Sequence, residues 1–304
     1  MRTALAFVFL AATSLPLAAQ TPQPPYVKPE GLRQISPHVH VIPDNSVPAV
    51  SNIGIIVGDK AVLVVDTGLG PPNGATVLAE ARKLGGSRAL YLVTTHVHPE
   101  HDLGAQAFPA TTKLIRSADE IKDIDEFGLQ LANVFATRSA AHAELLKGAA
   151  FRKADITFER DYDLDLGGVR AHIAAMGANH TRGDTTIWIE PDRVLFAGDV
   201  AMKAQPAFAS PYSSLSHWLE SLDRLEKLNP VMIVPSHGPL GEGTTFITGY
   251  RSYLNEVRER AAAEKHGGKD LQQTTQTVTA AMSDRYADRA RLAGAIKAAF
   301  AEAR

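Results

Sequence analysis

His96-Val97-His98-Pro99-Glu100-His101-Asp102 packs three imidazoles and two carboxylates into seven residues, immediately after an apolar run at 89–94. Four nitrogen or oxygen ligands around a zinc ion, at about 2.0–2.2 Å, require side chains converging from a tight turn. His96 and His98 occupy alternate positions of an extended segment and point the same way, so they can share one ion. Glu100 and His101 follow the turn at Pro99 and can address a second ion a few ångströms off. Working outward, other apolar runs end in the same manner, at Asp66, Asp199 and His237. Chemically able residues therefore gather where strands give way to loops, the place where a rigid sheet usually carries a site.

Composition narrows the chemistry. The 304 residues carry 31 Lys and Arg against 33 Asp and Glu, a net charge of −2, which supplies no basic footprint for nucleic acid or an anionic membrane. A hydrophobic fraction of 45% excludes a disordered chain. With no cysteine, disulfide scaffolds, thiolate metal sites, iron–sulfur clusters and cysteine nucleophiles are excluded, and any metal must sit on His, Asp or Glu. The first residues read as an address: Arg2, an apolar stretch at 4–12, then Leu17-Ala18-Ala19 before Gln20. This predicts a signal peptide over 1–19 and a periplasmic or secreted protein. Thr13, Ser14 and Pro16 break the apolar run short of the roughly 20 residues of a membrane span, so no stable anchor is expected after cleavage.

Beyond the address, a proline-rich linker is predicted over 20–33, the main domain over 34–265 and a helical C-terminal extension over 266–304. Short β-rich runs at 39–42, 53–57, 61–65, 89–94, 156–158, 169–174, 185–189, 194–197 and 232–235 are predicted strands. Helical composition marks 76–84, an insertion at 118–150, a helix capped by Ser216 with Trp218, Leu219, Leu222 and Leu225 on one face, and the chain from about Thr245. A faint echo links 62–66 with 194–199.

The histidine segment resembles the His-x-His-x-Asp-His signature of the metallo-β-lactamase fold superfamily. Asn179-His180-Thr181-Arg182-Gly183-Asp184, Phe196-Ala197-Gly198-Asp199 and Pro235-Ser236-His237-Gly238 resemble its later loops in order, and Asp66 its early aspartate. The resemblance covers nearly all of 34–240. It implies an α/β (α+β) fold of αββα type, two mixed sheets face to face with helices outside. It also implies one zinc on His96, His98 and His180 and a second on Glu100, His101 and His237, with Asp199 bridging and Asp66 supporting the ligands from behind.

Glu100 departs from the family's Asp by one methylene, which leaves occupancy of the second zinc an open expectation. The expected chemistry is attack by metal-bound hydroxide on a carbonyl-centred bond, with Glu100 orienting the hydroxide or shuttling its proton. β-Lactam hydrolysis is the first specific candidate. A quinoprotein-associated periplasmic zinc metallohydrolase and a lactone or thioester hydrolase are the alternatives, and a metal- or partner-binding exported protein is the non-enzymatic one. A small-molecule substrate is expected and nucleic acid is not. His38, His40, His142, His172, His217 and His266 are read as surface or isolated, Asp184 as a loop hydrogen-bonder, and Asp102 as a weaker candidate ligand than Glu100.

Overall fold

The computed structural model describes residues 26–304, so the signal-peptide reading lies outside the described residues. The short apolar runs assemble into two sheets. The first contains seven strands in sequence order: β1 (Arg33–Gln34), β2 (Val39–Ile42), β3 (Ile53–Val57), β4 (Ala61–Val65), β5 (Ala89–Val93), β6 (Lys113–Ser117) and β7 (Ile156–Phe158). Pairing is antiparallel up to β4 and parallel from β4 to β7. The second runs in spatial order β13 (Gly241–Glu242), β12 (Met232–Pro235), β11 (Val194–Gly198), β10 (Asp184–Ile189), β9 (Arg170–Gly177) and β8 (Asp161–Asp165). It is antiparallel apart from β11 with β12.

Side-chain alternation explains the layers. In β4, Leu63 and Val65 join the core between the sheets, while Val62 and Val64 face the helix α1 (Gly70–Gly85). In β11, Val194 and Phe196 face inward, whereas Leu195 and Ala197 meet the helices α6 (Leu215–Lys227) and α7 (Thr245–His266). Strands apolar on both faces are what a sheet covered on both sides requires. The result is the expected αββα sandwich. At Gly54 the sheets approach so closely that a Cβ would lie 2.3 Å from the Phe196 ring.

Several boundaries differ from the sequence reading. Helix α1 begins at Gly70 rather than 76, because Pro71 and Pro72 sit in its first turn, where missing N–H groups cost nothing. The cap of α6 is Ser214, whose Oγ accepts from His217 N, while Ser216 Oγ donates to Glu302. Strands β1, β6, β8 and β13 carry too few apolar residues to be predicted. After the short helix α2 (Pro99–Asp102), the insertion is helical as expected: α3 (Ala118–Asp123), a π-helical turn at Ile124–Gly128, α4 (Leu129–Ala136) and α5 (Ala140–Leu145) follow in order. The chain ends in α8 (Leu271–Met282) and α9 (Arg289–Glu302), whose Val278, Leu292 and Ile296 pack into the core over the second sheet. Tyr26 and Val27 are buried, with Val27 N donating to Asn73 Oδ1. No helix among the described residues is long and apolar enough to cross a membrane.

Candidate metal centre

Strand ends carry the site. The extended residue His98 is followed by α2, which opens on proline, so Glu100 and His101 leave in directions different from His96 and His98. His180 comes from the connection between β9 and β10, Asp199 from the end of β11 and His237 from just after β12. Gly198, at φ 58°, turns the chain immediately before Asp199.

Three groups converge with all ligand atoms within 4.8 Å of one another: His96, His98 and His180; His96, His101 and Asp199; and Glu100, His101 and His237. All seven expected ligands are thus brought together. His98 Nδ1 lies 3.1 Å from His96 Nε2 and 3.3 Å from His180 Nε2. Ligands at zinc–nitrogen distances of about 2.0–2.1 Å in a tetrahedron are spaced by about 3.3 Å, so these three nitrogens are already at ligand spacing. The Glu100 group is looser, with Oε1 3.9 Å from both His101 Nε2 and His237 Nε2.

The opposite ring nitrogens are committed to carbonyls or a carboxylate. His180 Nδ1 donates to Ala207 O at 2.7 Å and His237 Nδ1 to Val50 O at 2.8 Å; His101 Nδ1 donates to Asp66 Oδ2 at 2.8 Å. For His180 and His237 the bond favours the tautomer that leaves Nε2 as a bare lone pair facing the cluster, and for His101 it aims Nε2 at the cluster. His101 Nε2, Glu100 Oε2 and Asp199 Oδ1 are buried without a hydrogen-bond partner. Orphaned buried ligand atoms carry a desolvation cost that a cation would relieve, so the donor set fits divalent metal.

Electrostatics agree. Burial and the neighbouring imidazoles push His96 and His98 well below the usual histidine range, keeping them neutral and able to ligate. Burial alone would raise Asp199, but His180, His237, His101 and His98 outweigh it and bring its carboxyl to about 2. Burial lowers His101, while Asp66 more than compensates and lifts it to about 9, so its Nε2 holds a proton that a bound cation would displace.

Asp66 stands behind the cluster, in a left-handed conformation at φ 62°. Besides His101 it accepts from Thr95 N at 2.8 Å and Thr95 Oγ1 at 3.0 Å, joining the ends of β4 and β5. Asp184 is a loop hydrogen-bonder: its carboxylate accepts from His180 N, Thr181 N and Thr181 Oγ1, and burial lifts its pKa to about 6. Asp102 faces away from the cluster and pairs with the buried Arg116, which also meets Glu120 at 2.8 Å.

Among the remaining histidines, His38 is not simply surface. Its Nδ1 bonds Asp192 at 2.7 Å, a carboxylate far along the chain that local spacing could not reveal. His142 is buried against Tyr26 and donates to Phe135 O. His172 pairs with Asp163, His217 with the Met176 carbonyl and His266 with the Arg304 carbonyl. Asn52 went unassigned in sequence, yet its amide donates to Pro235 O and Gly238 O and frames the His237 loop.

A cavity of about 640 Å³ opens over the ligands, lined by His98, Glu100, His180, Asp199 and His237 on its floor and by Val47, Leu131, Val134 and Phe135 on its walls. Fold and site together define a two-sheet sandwich with a histidine–carboxylate cluster at its edge. The chain belongs to the metallo-beta-lactamase superfamily, whose sequence profile matches residues 47–237.

Among relatives, it is 27% identical over 191 residues to the human (Homo sapiens) protein named acyl-coenzyme A thioesterase MBLAC2, covering 59% of this chain and 68% of that one. Among solved structures, the inverting sec-alkylsulfatase Pisa1 from Pseudomonas sp. superposes with a TM-score of 0.71 at 16% identity. That match covers 89% of this chain, which spans about half the alkylsulfatase (49%). A metallo-beta-lactamase family protein from Thermus thermophilus gives a TM-score of 0.61 at 20% identity, covering 89% of this chain and 92% of that one. These structural likenesses concern the fold.

Proposed function

We propose that this metal-dependent hydrolase binds zinc and cleaves a carbonyl-centred ester bond, with a thioester the favoured target, after export from the cytoplasm. The observation that carries the metal reading is the set of orphaned polar atoms, His101 Nε2, Glu100 Oε2 and Asp199 Oδ1, buried beside His180 and His237, whose Nδ1 bonds to carbonyls turn Nε2 to the cleft. His96, His98 and His180 would hold one ion; Glu100, His101 and His237 the other, with Asp199 between them. When bound, such metals supply Lewis acidity and an acidified water.

The chain's own groups do the rest. Glu100, 8% exposed through its side chain at the cavity floor, receives and passes on a proton at whichever carboxylate oxygen a bound ion would leave free. The walls of Leu131, Val134 and Phe135 hold an acyl group and exclude water. Preference for a thioester among carbonyl substrates is supported by the relatives named as acyl-coenzyme A thioesterases.

The test is hydrolysis of matched thioester, ester, lactone and β-lactam panels by the zinc-loaded chain, with His180→Ala as control. Thioester turnover abolished by His180→Ala is expected. Turnover of β-lactams alone would replace the thioester reading by a β-lactamase one, and zinc uptake with no turnover would favour the metal-binding, non-enzymatic alternative.

A further inference from the structure

The cleft has a second feature beyond its ligands. A side chamber of about 240 Å³ opens beside His98 between α4 and the loop at 209–211, lined by Val97, Phe127, Leu131, Val134, Ala209 and Pro211. It shares His98, Leu131, Val134 and Ala209 with the main cavity, so the two adjoin. Val134 is 48% exposed, an apolar side chain presented to this space rather than to the core.

At the other side of the same wall stands Arg138, whose Cζ lies 3.4 Å from the centre of the Phe135 ring. Phe135 is itself 6.2 Å, centre to centre, from His98. The other arginine lining the cavity, Arg291, is tied to a carboxylate, that of Asp288. Arg138 is exposed, lines the cavity and has no carboxylate partner among the described residues. The other carboxylate on the rim, Asp44, is occupied by Ser46 N and Gly238 N. A guanidinium resting over an aromatic ring leaves N–H groups available to a carboxylate or phosphate.

Resting on the carbonyl-ester reading, we propose that Arg138 selects substrates bearing an acidic group, while the chamber at Leu131 and Val134 takes their apolar acyl portion. The substrate class is an amphipathic anionic ester or thioester, gripped at both ends with its carbonyl over the histidine cluster.

Binding of non-hydrolysable thioethers to the full metal-free chain, measured by calorimetry, tests this without turnover. S-octyl-N-acetylcysteamine is the neutral ligand, S-octylglutathione carries carboxylates and S-octyl-coenzyme A carries phosphates. The wild type is expected to bind at least one anionic ligand tenfold or more tightly than the neutral one, with the advantage shrinking at high salt. Arg138→Gln should reduce that advantage to below threefold while leaving the neutral ligand within twofold, Arg138→Lys should restore part of it, and Val134→Ser should weaken all three ligands severalfold. The ligand whose advantage vanishes in Arg138→Gln identifies the anion.

Equal affinities for charged and neutral ligands in the wild type, or a preference that survives Arg138→Gln, would overturn the proposal. Selective binding without hydrolysis of any ester or thioester by the zinc-loaded chain would instead refute the function proposed above and leave this inference standing.

Discussion

Replacing Asp66 by Asn isolates the part this residue plays in preparing the second metal group. The substitution is isosteric and exchanges one carboxylate oxygen for an NH2. Thr95 N, a donor with no alternative, keeps the remaining oxygen through its 2.8 Å bond. The NH2 then faces His101 Nδ1, where the carboxylate accepted at 2.8 Å, so the ring must take the tautomer with Nδ1 as acceptor and the proton on Nε2. Nε2 is the atom shared by the Asp199 and Glu100 groups. Partners that fix a ligand's tautomer are worth about 10–100-fold in metal affinity, or about 1.4–2.7 kcal/mol. Because Thr95 N keeps its bond and Thr95 Oγ1 can turn to accept from the new NH2, fold stability should fall by only about 1 kcal/mol. Zinc titrated into the stripped variant against a chromophoric chelator should show the weaker of two affinities reduced by that factor and the tighter one unchanged. Two unaltered affinities, or a loss confined to the tighter one, would refute the tautomer argument.

Other outcomes follow from the same geometry. His101→Ala should remove or loosen one ion and spare the three-histidine group; metal analysis showing both ions retained at full affinity would contradict the ligand division. Asp184→Ala strips three hydrogen bonds from the His180 loop, so kcat/KM should fall at least tenfold, with about 1–3 kcal/mol lost in urea denaturation. Glu120 is raised from 4.5 to about 8, burial outweighing Arg116. The folded chain therefore holds a proton that the unfolded chain releases, and this contribution to stability is full below 4.5 and is lost as pH rises to about 8, at no more than about 1.4 kcal/mol per pH unit. Glu120→Gln should flatten that decline in denaturation measured across pH 4.5–8, and an unchanged slope would argue against the assignment.

What the sequence made legible was what lies contiguous in it. Ligands at strand ends, and strands apolar on both faces such as β4 and β11, can be read residue by residue because the site and the sandwich core are built from local runs. Structure that depends on distant partners could not be read in this way. Arg116 sits in a strand like any solvated charge, yet it is 1% exposed, paired with Asp102 and hydrogen-bonded to Glu120. His38 finds Asp192 only because β2 and the β10–β11 turn meet in space. The polar strands β1 and β8 are defined by their neighbours' hydrogen bonds rather than by their own apolar pattern, and the early start of α1 was hidden by prolines that a first turn tolerates. Arg138 became visible as a cleft residue only when Phe135 was seen beneath it.

If the histidine–carboxylate cluster is a metal centre serving hydrolysis, catalysis must depend on metal occupancy. The most direct test is the initial rate of thioester hydrolysis as zinc is titrated into the stripped chain, in parallel with His180→Ala. The rate should rise with bound zinc and saturate when the sites fill, and the His180→Ala trace should stay near the uncatalysed level. A rate independent of zinc, or equal in the variant, would contradict it.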